Sequence, residues 1–380
     1  MDFQLTEDQR AFSDMAQGLF ADYCSDDQLR AHDTSGVPFM QDLWQQCVAA
    51  GLHSITVPEE HGGLGLGMTE LMAVLEQQGR ALALVPLWEQ QLAAATLARF
   101  GSASAQTALP ALLAGEVAAV SLAGLAQSRG CTLHLQQSST GGQLQGMSPA
   151  VPLAGNARHA LLVAEASDGP RLVWLDLQAP GVTRAVGQSQ HHQQVADVHC
   201  ANTPLSAVTV LPPAAIAWLQ PRALAALAAL QMGVTQQQLR RTVEYVSERK
   251  QFDRVIGSFQ LVAGQMADGH IALEALRSSV WQLVYRLDAG LGALPQAHAV
   301  RALANDSGHR VGHMAQHVHG GMGVDVTYPI HRFLYWSRAL AVTLGGTEHH
   351  LAALGDWLAD NDNLGWKYDL AEDELHATPF

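Results

Sequence analysis

His319-Gly320-Gly321-Met322-Gly323 and, about two dozen residues on, Thr343-Leu344-Gly345-Gly346 are the stretch on which the reading of this chain turns. The first run stands directly after a helical period that holds from Gln296 to Gln316. Upstream of it, apolar residues recur at helix spacing through Ala214 to Phe252 and Ser258 to Ala289. The other end of the chain shows the same period: Thr6 with Glu7-Asp8 fits an N-cap and an acidic first turn, and Phe12, Met15, Ala16 and Leu19 follow at helix spacing. Asp42 to Ala50 and Met68 to Ala81 are helical too, parted by a loop, His61 to Gly67, too rich in glycine for helix or strand.

Between these helical ends the texture changes. Cys131 to Gln136 and Gln143 to Gln145 alternate apolar and polar residues around a turn at Thr140-Gly141-Gly142, and Ala160 to Ala164 and Leu172 to Leu177 are short apolar runs near Gly and Pro. The expectation is an α+β chain with an N-terminal helical domain over 1–115, a middle β domain over 116–213 and a C-terminal helical domain over 214–380. No Gly-x-Gly-x-x-Gly lies between a strand and a helix, and no glycine loop ends in Gly-Lys-Ser/Thr, so a nucleotide would bind by another route.

With 380 residues, 48% hydrophobic and 15% charged, the chain can bury a large core. A formal charge of -14 opposes nucleic acid and anionic membrane surfaces, which would repel it. Cys24, Cys47, Cys131 and Cys200 show no Cys-x-x-Cys spacing, which argues for reduced thiols. The acidic start Met1 to Asp8 is unlike a signal peptide, and Ala223 to Val234, the nearest approach to a membrane run, is broken by Gln231 and Gly233; a cytoplasmic protein is expected. His317, His319, His331, His349 and His350 gather in one region without a His-Glu-x-x-His motif, so they are expected to be solvated or interface residues rather than metal ligands. Trp281 and Trp336 are expected in the core.

Three motifs in order carry a resemblance to the acyl-CoA dehydrogenase family. Pro58-Glu59-Glu60-His61-Gly62-Gly63-Leu64-Gly65 looks like its N-terminal Pro-Glu-x-x-Gly-Gly-x-Gly loop, Arg249-Lys250-Gln251-Phe252 with Phe259-Gln260 resembles its Arg-x-x-Phe-Gly segment and downstream Gln, and the His-Gly-Gly run resembles its C-terminal signature. The resemblance implies the acyl-CoA dehydrogenase fold, with a barrel-like middle domain and a C-terminal four-helix bundle, and it implies FAD and a CoA thioester substrate. By the same resemblance Arg249 neutralises the FAD diphosphate across a subunit interface, Phe252 packs beside the cofactor, Gln260 bonds near the adenine, and Gly320-Gly321 allow close backbone approach, with His317 standing where a glutamine is usual. Taken alone, Arg249 would read as a solvated cation at a helix end near Glu248.

The departures are as informative. The family needs a carboxylate to remove the proton beside the thioester carbonyl, and its position reads Leu344; the alternative position, on the helix before Arg249, falls near Ala223. Neither side chain accepts a proton. Where the family binds the flavin ring through Thr-Glu-x-x-x-Gly-Ser and Trp-Ile-Thr, this chain reads Ser121-Leu122-Ala123-Gly124-Leu125-Ala126 and Ala150-Val151-Pro152, and Asp253 replaces the glycine after Phe252. Residues that the family uses to contact a neighbour's cofactor, Arg249, Phe252, Gln260 and Gly320-Gly321, are largely kept, while those it uses for the chain's own flavin ring and proton transfer are lost. The chain thus resembles the base-lacking subunit of bacterial heteromeric dehydrogenases, several linked to steroid side-chain breakdown, whose homologous partner carries the base in an α₂β₂ tetramer. A homo-oligomeric enzyme with Glu348 as a displaced base, or a flavin-dependent monooxygenase of the same fold, is the alternative; Glu348 also reads simply as a helix first-turn acid.

Overall fold

Thr6 opens the first helix with a reciprocal capping box: its hydroxyl accepts from the Gln9 N–H at 3.2 Å, and Gln9 Oε1 accepts from the Thr6 N–H at 3.0 Å. The computed structural model describes residues 4–125, 132–138 and 141–361. Ala126, Cys131 and Thr140, on which part of the middle-domain reading rests, lie outside them. Helices α1 (Glu7–Tyr23), α2 (Asp26–Ser35), α3 (Gln41–Ala49), α4 (Met68–Ala81), α5 (Leu87–Phe100), α6 (Ala103–Gln106) and α7 (Leu109–Leu113) come first. Strands follow: β1 (Ala118–Ser121), β2 (His134–Ser138), β3 (Gly141–Pro152), β4 (His159–Ala166), β5 (Gly169–Asp176), β6 (Val182–Gln188), β7 (Gln194–Pro204) and β8 (Val208–Val210). The rest is α8 (Ala214–Glu248), a hairpin of β9 (Lys250–Gln251) and β10 (Arg254–Val255), then α9 (Gln260–Asp288), α10 (Leu294–His319), α11 (Ile330–Val342) and α12 (Thr347–Asp360). Helix, sheet and helix in that order are the α+β class expected.

Two compact units form: residues 1–31, 68–83 and 224–380 make one, and 32–67 with 84–223 the other. In the first, α4 and α8 meet backbone to backbone. A Cβ on Gly79 would lie 2.1 Å from the Leu230 carbonyl oxygen, and one on Gly233 would lie 2.0 Å from that of Glu76, so both positions need glycine. On α10, the buried side runs through Ala297, Ala304, Val311 and Ala315, and this helix packs on α9, α11 and α12.

In the second unit one mixed sheet runs β6-β7-β3-β2-β4-β5-β8, with β1 pairing parallel to β4. Leu135, Leu144, Leu162, Val173, Leu175 and Val198 build its core. Register breaks in the β3–β7 ladder fall between Leu144 and Gly146 and between Ser148 and Val151. The second break puts Ala150 in the left-handed region at φ 45°.

The helix read from Thr6 forms as α1, with Met15 47% exposed and the inner face made by Ser13, Ala16 and Phe20. Two local expectations need correction. The helix expected to reach Phe252 stops at Glu248, because Phe252 and Asp253, at φ 52° and 62°, turn the chain into the β9–β10 hairpin. Finally, His319, His331 and His350 are not solvated: each is buried, with a ring nitrogen bonded to a local carbonyl, those of Ala315, Tyr328 and Gly345 respectively. Among the described residues no helix is long and apolar enough to cross a membrane.

Candidate functional site

The last turn of α8 carries Tyr245, whose carbonyl accepts from the Arg249 N–H at 2.9 Å. Arg249 then closes the hairpin by accepting from the Ile256 N–H at 2.8 Å. Its guanidinium is exposed and has no hydrogen-bond or ion-pair partner among the described residues. Two successive left-handed residues place Phe252 at the hairpin tip, where it is 88% exposed and meets Phe259 edge-on, ring centroids 6.2 Å apart. Arg254 covers the other ring, 4.0 Å from the Phe259 centroid. Phe259 is the N-cap of α9, so Gln260 begins that helix, exposed and with its amide unpartnered among the described residues.

The end of α10 is joined to this turn by stacking. His319 lies flat on Tyr245 with centroids 4.2 Å apart and leans on Tyr328 at 5.5 Å, while the Tyr245 hydroxyl donates to Met322 Sδ at 3.8 Å. The His319 Nδ1–H donates to the Ala315 carbonyl, and burial lowers the imidazole pKa, so the ring is a neutral structural element. Gly320 follows at φ 60°, ψ -132°, a conformation open in practice to glycine alone. A Cβ on Gly320 or Gly321 would meet nothing within 4 Å. His317, three residues back, is exposed. The stack thus brings Arg249 and the glycine pair to one end of the helical unit. Sequence reasoning misses the roles of Tyr245 and His319 here, although a Tyr one helical turn before an Arg is a signal that could have found the first.

Leu344 sits in the turn between α11 and α12, half-buried, at φ 58°, followed by Gly345 at φ 119°. A left-handed leucine costs roughly 1 kcal/mol and needs support from its surroundings. Arg301, fully buried on α10, supplies it by donating through Nη2 to the carbonyls of Leu340 and Thr343, the latter at 3.3 Å. His350 adds a bond from Nε2 to the Gly345 carbonyl at 3.1 Å. Because that nitrogen must donate, His350 Nδ1 accepts, and His298 Nδ1–H is its donor at 3.0 Å. Burial drives both imidazoles toward neutrality, His298 to about 4 and His350 to about 3, with the Arg301 cation adding to the effect on His350. Arg301 itself is pushed down by burial to about 9 and stays charged at neutral pH. The carbonyls it binds close α11, where the helix dipole is negative. The turn is tightly held, and its side chain at position 344 is a hydrocarbon. Ala223 is fully buried inside α8, and Glu348 lies in the first turn of α12.

In the sheet unit, the Ala150 N–H donates to Asp197 Oδ1 at 2.7 Å, Pro152 has no N–H, and the Ser121 hydroxyl accepts from the Ala123 N–H at 3.3 Å. The backbone donor at Ala150 is therefore spent on a carboxylate.

A helical N-terminal segment, a mixed sheet and a C-terminal helical bundle with a glycine-capped α10 are the arrangement that the acyl-CoA dehydrogenase resemblance implies. Residues 6–116 match the family model for the acyl-CoA dehydrogenase N-terminal domain, and residues 222–359 match that for the C-terminal domain. Acyl-CoA dehydrogenase FadE27 of Mycobacterium tuberculosis is 32% identical over 372 residues, covering 95% of this chain and 99% of the relative. Among solved structures, a variant of the Tcur3481-Tcur3483 steroid ACAD superposes with a TM-score of 0.87 at 35% identity, covering 94% of this chain and 99% of that one. The ChsE4-ChsE5 complex from Mycobacterium tuberculosis does so with a TM-score of 0.88 at 30% identity, covering 95% and 100%. This chain belongs to the acyl-CoA dehydrogenase family.

Proposed function

We propose that this chain is the base-lacking subunit of a heteromeric acyl-CoA dehydrogenase, in which a homologous partner carries the catalytic carboxylate and FAD lies at the interface between them. The observation that carries the reading is a split in how polar groups are used. Arg249 offers a guanidinium with no partner among the described residues, beside an exposed Phe252 and a glycine pair with open space around it. The positions that would serve a flavin ring in the chain's own sheet unit are occupied or empty: Asp197 takes the Ala150 N–H, and Pro152 has none to give. These residues do not fit an isoalloxazine. The exposed set does fit a diphosphate presented from outside, with Arg249 and His317 as donors, Gly320-Gly321 as the close backbone, Phe252 as an apolar cover and Gln260 toward the adenine.

Bound there, FAD supplies the hydride acceptor for α,β-dehydrogenation of a CoA thioester. In this reading the proton leaves to a base on the partner, since the turn at the family's base position presents Leu344. Two similar structures that bear paired subunit names, Tcur3481-Tcur3483 and ChsE4-ChsE5, support the heteromeric reading, and the first, called a steroid ACAD, supports a bulky steroid-type acyl group. We extend the reading to an α₂β₂ tetramer in the cytoplasm. The test is to purify the chain alone and with its partner, then record flavin absorbance and its bleaching by acyl-CoA. Stoichiometric flavin and turnover from the isolated chain would overturn the proposal.

A further inference from the structure

Outside this site, the exposed face of α10 carries two histidines one helical turn apart, His309 and His313. Neither ring has a hydrogen-bond or ion-pair partner among the described residues; each faces the other, with centroids 4.4 Å apart and planes tilted by 53°. Two imidazoles that share an ion at about 2.0 to 2.1 Å, with ligand angles between roughly 90° and 109°, bring their centroids about 4.4 to 5.1 Å apart. The observed separation lies at the near end of that range, so the rings stand close enough to share an ion once a nitrogen of each turns toward it. Positions i and i+4 of a helix are the spacing at which histidines share a metal.

No hydrogen bond among the described residues occupies the ring nitrogens, while the nearby cations act against a bound cation. Arg310, between the two, is held by Asp306 at 2.7 Å, and the opposing cation is Arg338 of α11. Among the described residues no group of three or more His, Cys, Asp or Glu is placed to hold a metal. Two ligands therefore make a half-site rather than a closed one.

We propose that His309 and His313 form a half-site for a divalent transition ion of the zinc class, its remaining positions open to water or to a donor from another molecule. Nothing in this depends on the heteromeric reading above, and its test uses no catalytic readout. Zinc chloride titrated calorimetrically into the untagged chain at pH 7.5 is expected to show binding that His309→Asn and His313→Asn each weaken at least tenfold, while His270→Asn, at an exposed histidine of α9, leaves it unchanged. Both rings are exposed, so thermal melts should confirm that the variants stay folded. In zinc-soaked crystals an anomalous peak is expected between the two rings. Absence of zinc uptake, an isotherm that either variant leaves unaltered, or a peak only elsewhere would overturn the assignment.

Discussion

Replacing Arg249 by alanine should separate cofactor binding from folding. The guanidinium is exposed and unpartnered among the described residues, so its loss should change the stability of the isolated chain by no more than about 0.5 kcal/mol. Across the proposed interface the same group would meet a diphosphate through a planar fork of donors. Charge-assisted bonds of that kind are worth about 1.5 to 3 kcal/mol, and about 3 kcal/mol for the pair corresponds to roughly a hundredfold in dissociation constant. Arg249→Lys keeps the charge without the fork and should lose roughly tenfold. The assay is flavin fluorescence as the assembled complex is diluted, set beside urea melts of the isolated chain. Wild-type retention of FAD by the alanine variant would refute the reasoning. So would a loss of more than about 1 kcal/mol from the isolated chain, because it would mean that Arg249 serves the fold.

Three further outcomes follow from the packing and the buried charges. Gly79→Ala should lose about 3 kcal/mol or more in urea unfolding, since the added carbon would overlap the Leu230 carbonyl at 2.1 Å and force α4 from α8; a loss under about 1 kcal/mol would contradict this close approach. His298 and His350 are neutral in the fold, at about 4 and about 3, but titrate near 6.5 when unfolded, so the unfolded chain takes up protons first and stability falls as pH drops from about 6.5 toward 3. The double variant His298→Gln/His350→Gln should show a shallower fall in urea midpoint between pH 7 and pH 5 than the wild type. Glu89 is fully buried on α5 and pushed up by burial to about 7, so its folded pKa exceeds the unfolded value and stability falls as pH rises from about 4.5 through 7. Glu89→Gln, which can keep the bond to Gln193, should therefore be more stable than wild type at pH 8 and lose that advantage at pH 5.

The long helices are legible because their signals are local. Met68 to Ala81 reads from its period with the bounds the structure gives, and Thr6 opens α1 as the N-cap that its place before Glu7-Asp8 announces. Strand β6 escapes the pattern, since it is exposed along nearly its whole length and shows no alternation of apolar and polar residues, whereas β7 alternates over Ala196-Asp197-Val198-His199-Cys200 and carries a signal that could have found it. The β9–β10 hairpin escapes for a different reason: its turn is Phe252-Asp253 rather than the Asn-Gly or Asp-Gly that such turns favour, so the helical period runs on through it. Of the candidate site, Arg249, Phe252, Gln260, His317, Gly320 and Gly321 stand in recognisable motifs, and the structure shows how Tyr245 and His319 tie the α8 and α10 ends together. Arg301 and His298 are invisible to pattern reading, and His350 shows only as one of the gathered histidines, because a buried cation and its imidazoles occupy ordinary helix positions until the fold brings α10 and α12 together.

The split between an Arg249 without a partner among the described residues and a spent Ala150 N–H makes one measurement decisive: the flavin content of the chain purified alone and of the chain purified with its partner, each followed by bleaching on addition of acyl-CoA. The account predicts little or no flavin and no bleaching for the chain alone, with both appearing in the complex. One flavin per isolated chain, bleached by acyl-CoA without a partner, would contradict it.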